Sequence, residues 1–131
     1  MNANQFTQKS LAALQAAQDL ATGQGNQQVG QSHLLCALLH DEGGLIPQLL
    51  THMGLTLPSF QAAADKLVAD LPKVSGPGRE AGKVYITPEL DAALNAAETQ
   101  AKAMGDEYVS VEHLLLGLLE RSDKSLSQLF Q

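Results

Sequence analysis

The chain has 131 residues, 44% of them apolar, and it carries a formal net charge of −6. This length suits a single domain, and the apolar content is enough to build a core, which excludes extensive disorder. Eight basic residues scattered among fourteen acidic ones argue against a nucleic-acid partner. No apolar run is long enough for a membrane span or a signal peptide, and the single cysteine excludes an intramolecular disulfide. We therefore expect a cytoplasmic, soluble protein.

The sequence contains an internal duplication. When 7–51 is aligned without gaps on 87–131, 16 of the 45 pairs are identical. Both copies place a valine, a histidine and paired leucines at the same offsets, in VGQSHLLCALL from Val29 and in VSVEHLLLGLL from Val109. Two copies of a helical unit that bury their apolar faces against each other predict a compact bundle with pseudo-twofold symmetry.

Apolar spacing in the first copy predicts four helices. Thr7 is suited to cap the first helix, which runs to about Thr22 and is ended by the glycines that follow. The second helix, about Gln31–His40, is apolar on nearly all sides and should be central and buried. A short third helix covers about Leu45–Met53, and a fourth begins near Pro58.

The second copy restarts after a connector. Residues 72–86 contain two prolines and three glycines and show no helical period. Thr87 and Pro88 then form a strong helix start, and two further helices are predicted at Val111–Glu120 and from about Lys124. The predicted fold class is all-α: one domain over 1–131, with repeats 7–71 and 87–131 of about four helices each, the last helix of the second repeat missing from this sequence.

The residues that could carry chemistry do not form a catalytic pattern. His33 and His113 occupy matched positions in leucine-rich helices without a second ligand at helical spacing, so we expect structural hydrogen bonds to the neighbouring repeat or a loop carbonyl. Cys36 lies in the most apolar helix and should be inert. We expect no catalytic residue, metal or cofactor in this domain and favour recognition of proteins through grooves between helices. A small metal-dependent enzyme that uses both histidines is the alternative from another class.

The duplicated pattern resembles the Clp N-terminal (double Clp repeat) domain of Clp-type AAA+ unfoldases, and the resemblance covers essentially the whole chain. Several segments are most similar to the ClpB-type disaggregases. They are Asn26-Gln27, GLIP at 44–47, LPKVSG at 71–76 and MGDEYVSVEH at 104–113.

The resemblance implies a mobile, non-catalytic domain that engages unfolded or aggregated proteins. Such a domain precedes two ATPase modules, which use ATP and Mg²⁺ in a homohexameric ring, while the isolated domain is expected to be a monomer. Within it, the resemblance assigns Leu94 to an apolar groove and Thr7, Asp106 and Glu112 to a polar patch that contacts substrate. His113 stands at a groove position where some relatives have a leucine, and it is the fifth residue that the resemblance assigns to binding.

The alternative within the same group is a ClpC/ClpA-type domain, which docks adaptor proteins and, in ClpC, substrates marked with phosphoarginine. That type carries Glu before His in both repeats and Arg just ahead of the first Thr. This chain has Glu112 in one repeat but Ser32 in the other, and Gln5 precedes Phe6-Thr7. The resemblance therefore favours the ClpB type.

Overall fold

A computed structural model describes residues 3–41, 44–73 and 85–130 of the chain. Seven α-helices dominate these residues, and they confirm both the all-α prediction and the predicted order of helices. They are α1 (Gln8–Gly23), α2 (Gln31–Leu39), α3 (Leu45–His52), α4 (Leu57–Ala69), α5 (Pro88–Ala103), α6 (Val111–Glu120) and α7 (Lys124–Leu129). The sequence did not predict a 3₁₀ turn at Ala3–Gln5 or two short strands, β1 (Gln28–Val29) and β2 (Tyr85–Ile86).

The first helix of each repeat begins and ends in the same way. Thr7 caps α1 by accepting a hydrogen bond from the Ser10 N–H at 3.1 Å. Thr87 caps α5 through the Leu90 N–H at 3.0 Å. Beyond the other ends of these helices, Gly25 and Gly105 have φ values of +76° and +72°, which a side chain would disfavour.

Short stretches of parallel β-pairing interlock the two repeats. β1 pairs with β2 in register Val29–Ile86, and Phe6 pairs with Val109 in an isolated parallel bridge. Phe6 and Ile86 are 80 residues apart, as are Val29 and Val109, so the pseudo-twofold relation exchanges the two contacts. In each repeat, the residue that precedes the first helical cap therefore pairs with the segment that precedes the second helix of the other repeat.

One core runs through both repeats, with the leucines of α2 and α6 at its centre. Gln31, at the start of α2, is buried there, and its side chain bonds to the other repeat. Its Nε2 donates to the carbonyl oxygens of Glu89 and Arg121 at 2.8 and 2.7 Å. Its Oε1 accepts from the Asp123 N–H at 2.8 Å. This one amide side chain therefore satisfies three backbone groups of the second repeat.

Most of the predicted connector 72–86 lies outside the described residues, which resume at Tyr85. At its beginning, the Pro72 carbonyl accepts a hydrogen bond from Asn26 Nδ2 at 3.0 Å. Among the helices that the structure describes, none combines the length and apolar character that crossing a membrane requires.

Candidate functional site

Thr7 lies at a junction where the start of α1 meets the segment that leads into α6. Its backbone N–H donates to the Val109 carbonyl at 3.0 Å, and Ser10 Oγ donates to the same oxygen at 2.9 Å. Thr7 Oγ1 in turn donates to Ser10 Oγ at 3.0 Å. Thr7 therefore acts as a helix cap and as an anchor between the repeats, and its side chain is half-buried.

His113 is buried in the first turn of α6, and both of its ring nitrogens are engaged. The Ser110 N–H donates to Nδ1 at 2.9 Å, so the neutral ring carries its proton on Nε2. Nε2 faces Asp106 Oδ2 at 2.8 Å and donates to it. The His113 side chain is only 2% exposed and is inaccessible to a partner, whereas the Asp106 side chain is 47% exposed.

His33 has the corresponding position in α2 and a corresponding pair of bonds. The Gly30 N–H donates to its Nδ1, and its Nε2 lies 2.9 Å from Asn26 Oδ1. Burial lowers the pKa of His33 below its usual 6.5. The two histidines thus play a structural role, as predicted from the sequence. Their partners are not the neighbouring repeat or a loop carbonyl, because each ring bonds to the N–H of its helix cap and to a side chain of its own repeat.

The described residues contain no group of three or more His, Cys, Asp or Glu side chains that could hold a metal ion. A metal at His33 or His113 would also have to displace the hydrogen bonds that occupy both nitrogens of each ring. The geometry of these residues gives no support to a metal-dependent enzyme.

Three of the five residues assigned by resemblance surround this junction. Thr7 bonds to Val109, Asp106 bonds to His113, and Glu112 is half-buried in the first turn of α6. His113 also lies at this junction, but it is only 2% exposed, so it cannot contact a partner as the resemblance implied. Leu94 lies apart from these residues, because it is only 1% exposed and belongs to the core. The side chain of Leu94 is therefore inaccessible to a partner in this structure. Its assignment to an accessible groove, which the resemblance implied, is wrong.

The structure instead contains an apolar groove between α1 and α2, which we call the α1/α2 groove. Its volume is about 590 Å³. The apolar residues that line it are Ala12, Ala13, Ala16, Leu20, Cys36, Ala37, Leu38, Ile46 and Val111, and the ionisable ones are Lys9, His40, Asp41 and Asp65. Since Val111 stands between Ser110 and Glu112, the groove reaches the junction described above.

Sequence reasoning missed the α1/α2 groove because alanine on a helix suggests close packing. Ala12 and Ala16 are in fact exposed, and Ala13 is half-buried. One difference between the two copies could have indicated the groove in the sequence. Ala37 of the first repeat is aligned with Gly117 of the second.

Cys36 lies beneath the groove and is only 1% exposed. Burial, together with the Asp65 carboxylate, raises the pKa of its thiol to about 12. Asp65 Oδ1 is itself 2.7 Å from His40 Nε2, so the carboxylate separates the thiol from the imidazole. His40 is therefore not placed to deprotonate Cys36, which stays a protonated core residue at neutral pH, as predicted.

These features define a class of protein: a duplicated, all-α domain whose repeats are interlocked by crossed β-bridges. The chain belongs to the Clp repeat (R) N-terminal domain family, whose family model matches residues 5–131. It is 42% identical over 120 residues to a chaperone protein ClpB of Nitratidesulfovibrio vulgaris, a match that covers 92% of this chain and 14% of that protein. The chain therefore spans about one seventh of the length of the curated relative that it matches.

Solved structures share the fold. The N-terminal domain of Hsp104 from Candida albicans has a TM-score of 0.83 at 23% identity, over 95% of this chain and 79% of that one. A ClpV N-domain in complex with a VipB peptide has a TM-score of 0.73 at 18% identity, over 97% and 78% of the two chains. Together with the family match, these findings make the chain similar to the N-domains of Clp-type chaperones.

Proposed function

We propose that this chain is the substrate-engaging N-terminal domain of a ClpB-type chaperone. It binds unfolded or aggregated protein segments and passes them to an ATPase ring, which in the parent protein is a cytoplasmic homohexamer that uses ATP and Mg²⁺. The domain itself catalyses nothing. Its relatives named ClpB and its Clp N-terminal fold support this proposal, and the open α1/α2 groove is the observation that carries it.

The size and lining of the groove suit a short apolar segment. A volume of about 590 Å³ falls in the range of small-ligand pockets and accommodates a few side chains. Each buried Leu or Phe contributes roughly 1.5–3 kcal/mol, which the entropy of association and of ordering the segment largely offsets. We therefore expect weak, readily reversible binding, which suits a domain that must release its substrate to the ring.

Ala16→Glu tests the groove directly. Ala16 is exposed on α1, so a glutamate there should leave the fold intact while bringing a charge to the apolar surface. We expect the affinity for a permanently unfolded protein, measured by calorimetry, to fall about tenfold or more because the bound segment would desolvate that charge.

Ala62→Glu is the matched control, because Ala62 is exposed on α4 and does not line the groove. Equal affinities in the two folded variants would contradict the assignment of the groove. Substitution of Leu94 by a charged residue gives no such test, because a charge in the core would unfold the domain.

Docking of an adaptor is the second candidate, supported by the peptide complex of the ClpV neighbour. An adaptor helix could occupy the same groove by its apolar face. The phosphoarginine variant of this function has less support, since Ser32 is buried and supplies no carboxylate opposite to the one that Glu112 supplies in the other repeat. Micromolar binding of a phosphoarginine peptide in a titration would favour the ClpC-type function over the ClpB-type one.

A further inference from the structure

The helices α5 and α6 are the counterparts of α1 and α2, and they pack closely against each other at Gly117. There, a Cβ added at Gly117 would collide with the carbonyl oxygen of Ala93 and would lie 3.0 Å from the backbone nitrogen of Ala97. Both alanines are buried. The glycine thus lets α6 touch the backbone of α5 at this point, where there is no room for a side chain.

In the first repeat the same position carries a methyl group. Ala37 is the counterpart of Gly117, and Ala13 is the counterpart of Ala93. Both Ala37 and Ala13 are half-buried and line the groove, whereas Ala93 is buried. An approach of α2 to α1 as close as that of α6 to α5 would drive the Ala37 methyl into the backbone of α1.

The ionisable side chains of the groove favour a cation at one end. His40 and Asp41 directly follow α2, and Asp65 Oδ1 is 2.7 Å from His40 Nε2, so these three lie together. With Lys9, the ionisable groups of the groove are two carboxylates, one imidazole and one ammonium group. The C-terminal carbonyls of α2 add partial negative charge at the same end, and the net charge of −6 attracts basic segments over longer distances.

We infer that Ala37 holds the α1/α2 groove open and that the groove takes an apolar segment of an unfolded protein with a lysine or arginine at the end that meets Asp41 and Asp65. This inference rests on the proposed function and adds to it a residue that sets the opening and a chemical preference for the occupant. It also accounts for the closer approach of the helices at Gly117, where the second repeat lacks this methyl group.

Three labelled peptides test the preference for a cation. They share one apolar core and carry lysine, serine or glutamate at both ends, so that the result does not depend on peptide direction. Fluorescence anisotropy with the 131-residue chain should give the tightest binding for the lysine peptide and the weakest for the glutamate peptide. Asp41→Asn should reduce the preference for lysine over serine about two- to fivefold.

Asp19→Asn is the matched control for the charge, because Asp19 is exposed on α1 and does not line the groove. It should leave the preference for lysine unchanged. High salt should reduce the preference in the wild-type chain, since the carboxylates are partly exposed.

Ala37→Gly tests the opening, with Ala62→Gly on the exposed face of α4 as its control for the loss of helix propensity. Both variants should remain folded by circular dichroism. Because α2 can then approach α1, Ala37→Gly should bind the lysine peptide about tenfold more weakly, as expected when roughly two methylene contacts are lost. Ala62→Gly should bind like the wild type.

The outcomes separate this inference from the proposed function. If the wild-type chain binds an unfolded protein and all three peptides with equal affinity, and Ala37→Gly binds as Ala62→Gly does, the inference is overturned while the proposed function stands. If the wild-type chain binds neither the unfolded protein nor any peptide, the proposed function fails and the inference fails with it.

Discussion

At the residue scale, His33 and His113 hold matched positions but face different partners. Each accepts the N–H of its helix cap on Nδ1. The Nε2 of His33 meets a neutral amide, Asn26, whereas that of His113 meets a carboxylate, Asp106. The Asn26 Nδ2 also donates to the Pro72 carbonyl, so in the first repeat the partner of the histidine also holds the start of the connector.

The buried His33 makes the stability of the domain depend on pH. Its pKa is lowered by burial, so the folded chain keeps the ring neutral at a pH where the unfolded chain, with a pKa near 6.5, binds a proton. This contribution to stability is fully present above pH 6.5 and is lost as the pH falls. We expect the free energy of unfolding, measured with urea between pH 7.5 and 5.5, to decline below pH 6.5 by up to about 1.4 kcal/mol per pH unit.

His33→Gln provides the control for this pH dependence. Glutamine can still accept the Gly30 N–H at the third helical position, but it does not titrate. The variant should be less stable at pH 7 and should lose less stability between pH 6.5 and 5.5 than the wild type. An identical decline in both chains would show that other groups cause it.

At the scale of elements, the contact between α5 and α6 depends on the absence of a side chain at Gly117. Gly117→Ala should therefore lower the free energy of unfolding by about 1–3 kcal/mol, because the helices must separate to admit the methyl group. Chemical denaturation of both chains measures this difference.

Gly23→Ala is the matched control, because nothing lies within 4 Å of the Cβ position at Gly23, the last residue of α1. It should be neutral or stabilising by up to about 1 kcal/mol, since alanine restricts the unfolded chain. An equal effect of both substitutions would contradict the close approach of α5 and α6.

The helices could be predicted because local signals specify them: Thr7 and Thr87 cap α1 and α5, and the leucine pattern marks α2 and α6 as central. The crossed β-bridges could not, because two-residue strands have no periodicity and arise from the docking of the repeats. The groove was hidden for a similar reason. Whether an alanine face packs tightly depends on the partner helix, and here the outcome differs between Ala37 and Gly117.

At the scale of the whole molecule, duplication has produced two repeats with one fold and different surfaces. The second repeat closes its helix pair at Gly117 and contributes to the core, while the first keeps the α1/α2 groove open. Thr7, Asp106 and Glu112, assigned by resemblance to a polar patch, lie around the junction that the groove reaches through Val111. The groove and this junction together form the surface at which we propose that substrate is engaged.

The central claim, that the α1/α2 groove engages unfolded segments, is tested most directly by nuclear magnetic resonance. A permanently unfolded protein is titrated into the ¹⁵N-labelled chain, and the shift of each backbone amide is followed. We predict that the shifts concentrate on groove residues such as Ala13, Ala16 and Ala37 and that Ala16→Glu strongly reduces them while Ala62→Glu does not. Shifts confined to α4 or to the surface around Tyr85, or no shifts at concentrations where binding is measured, would contradict the claim.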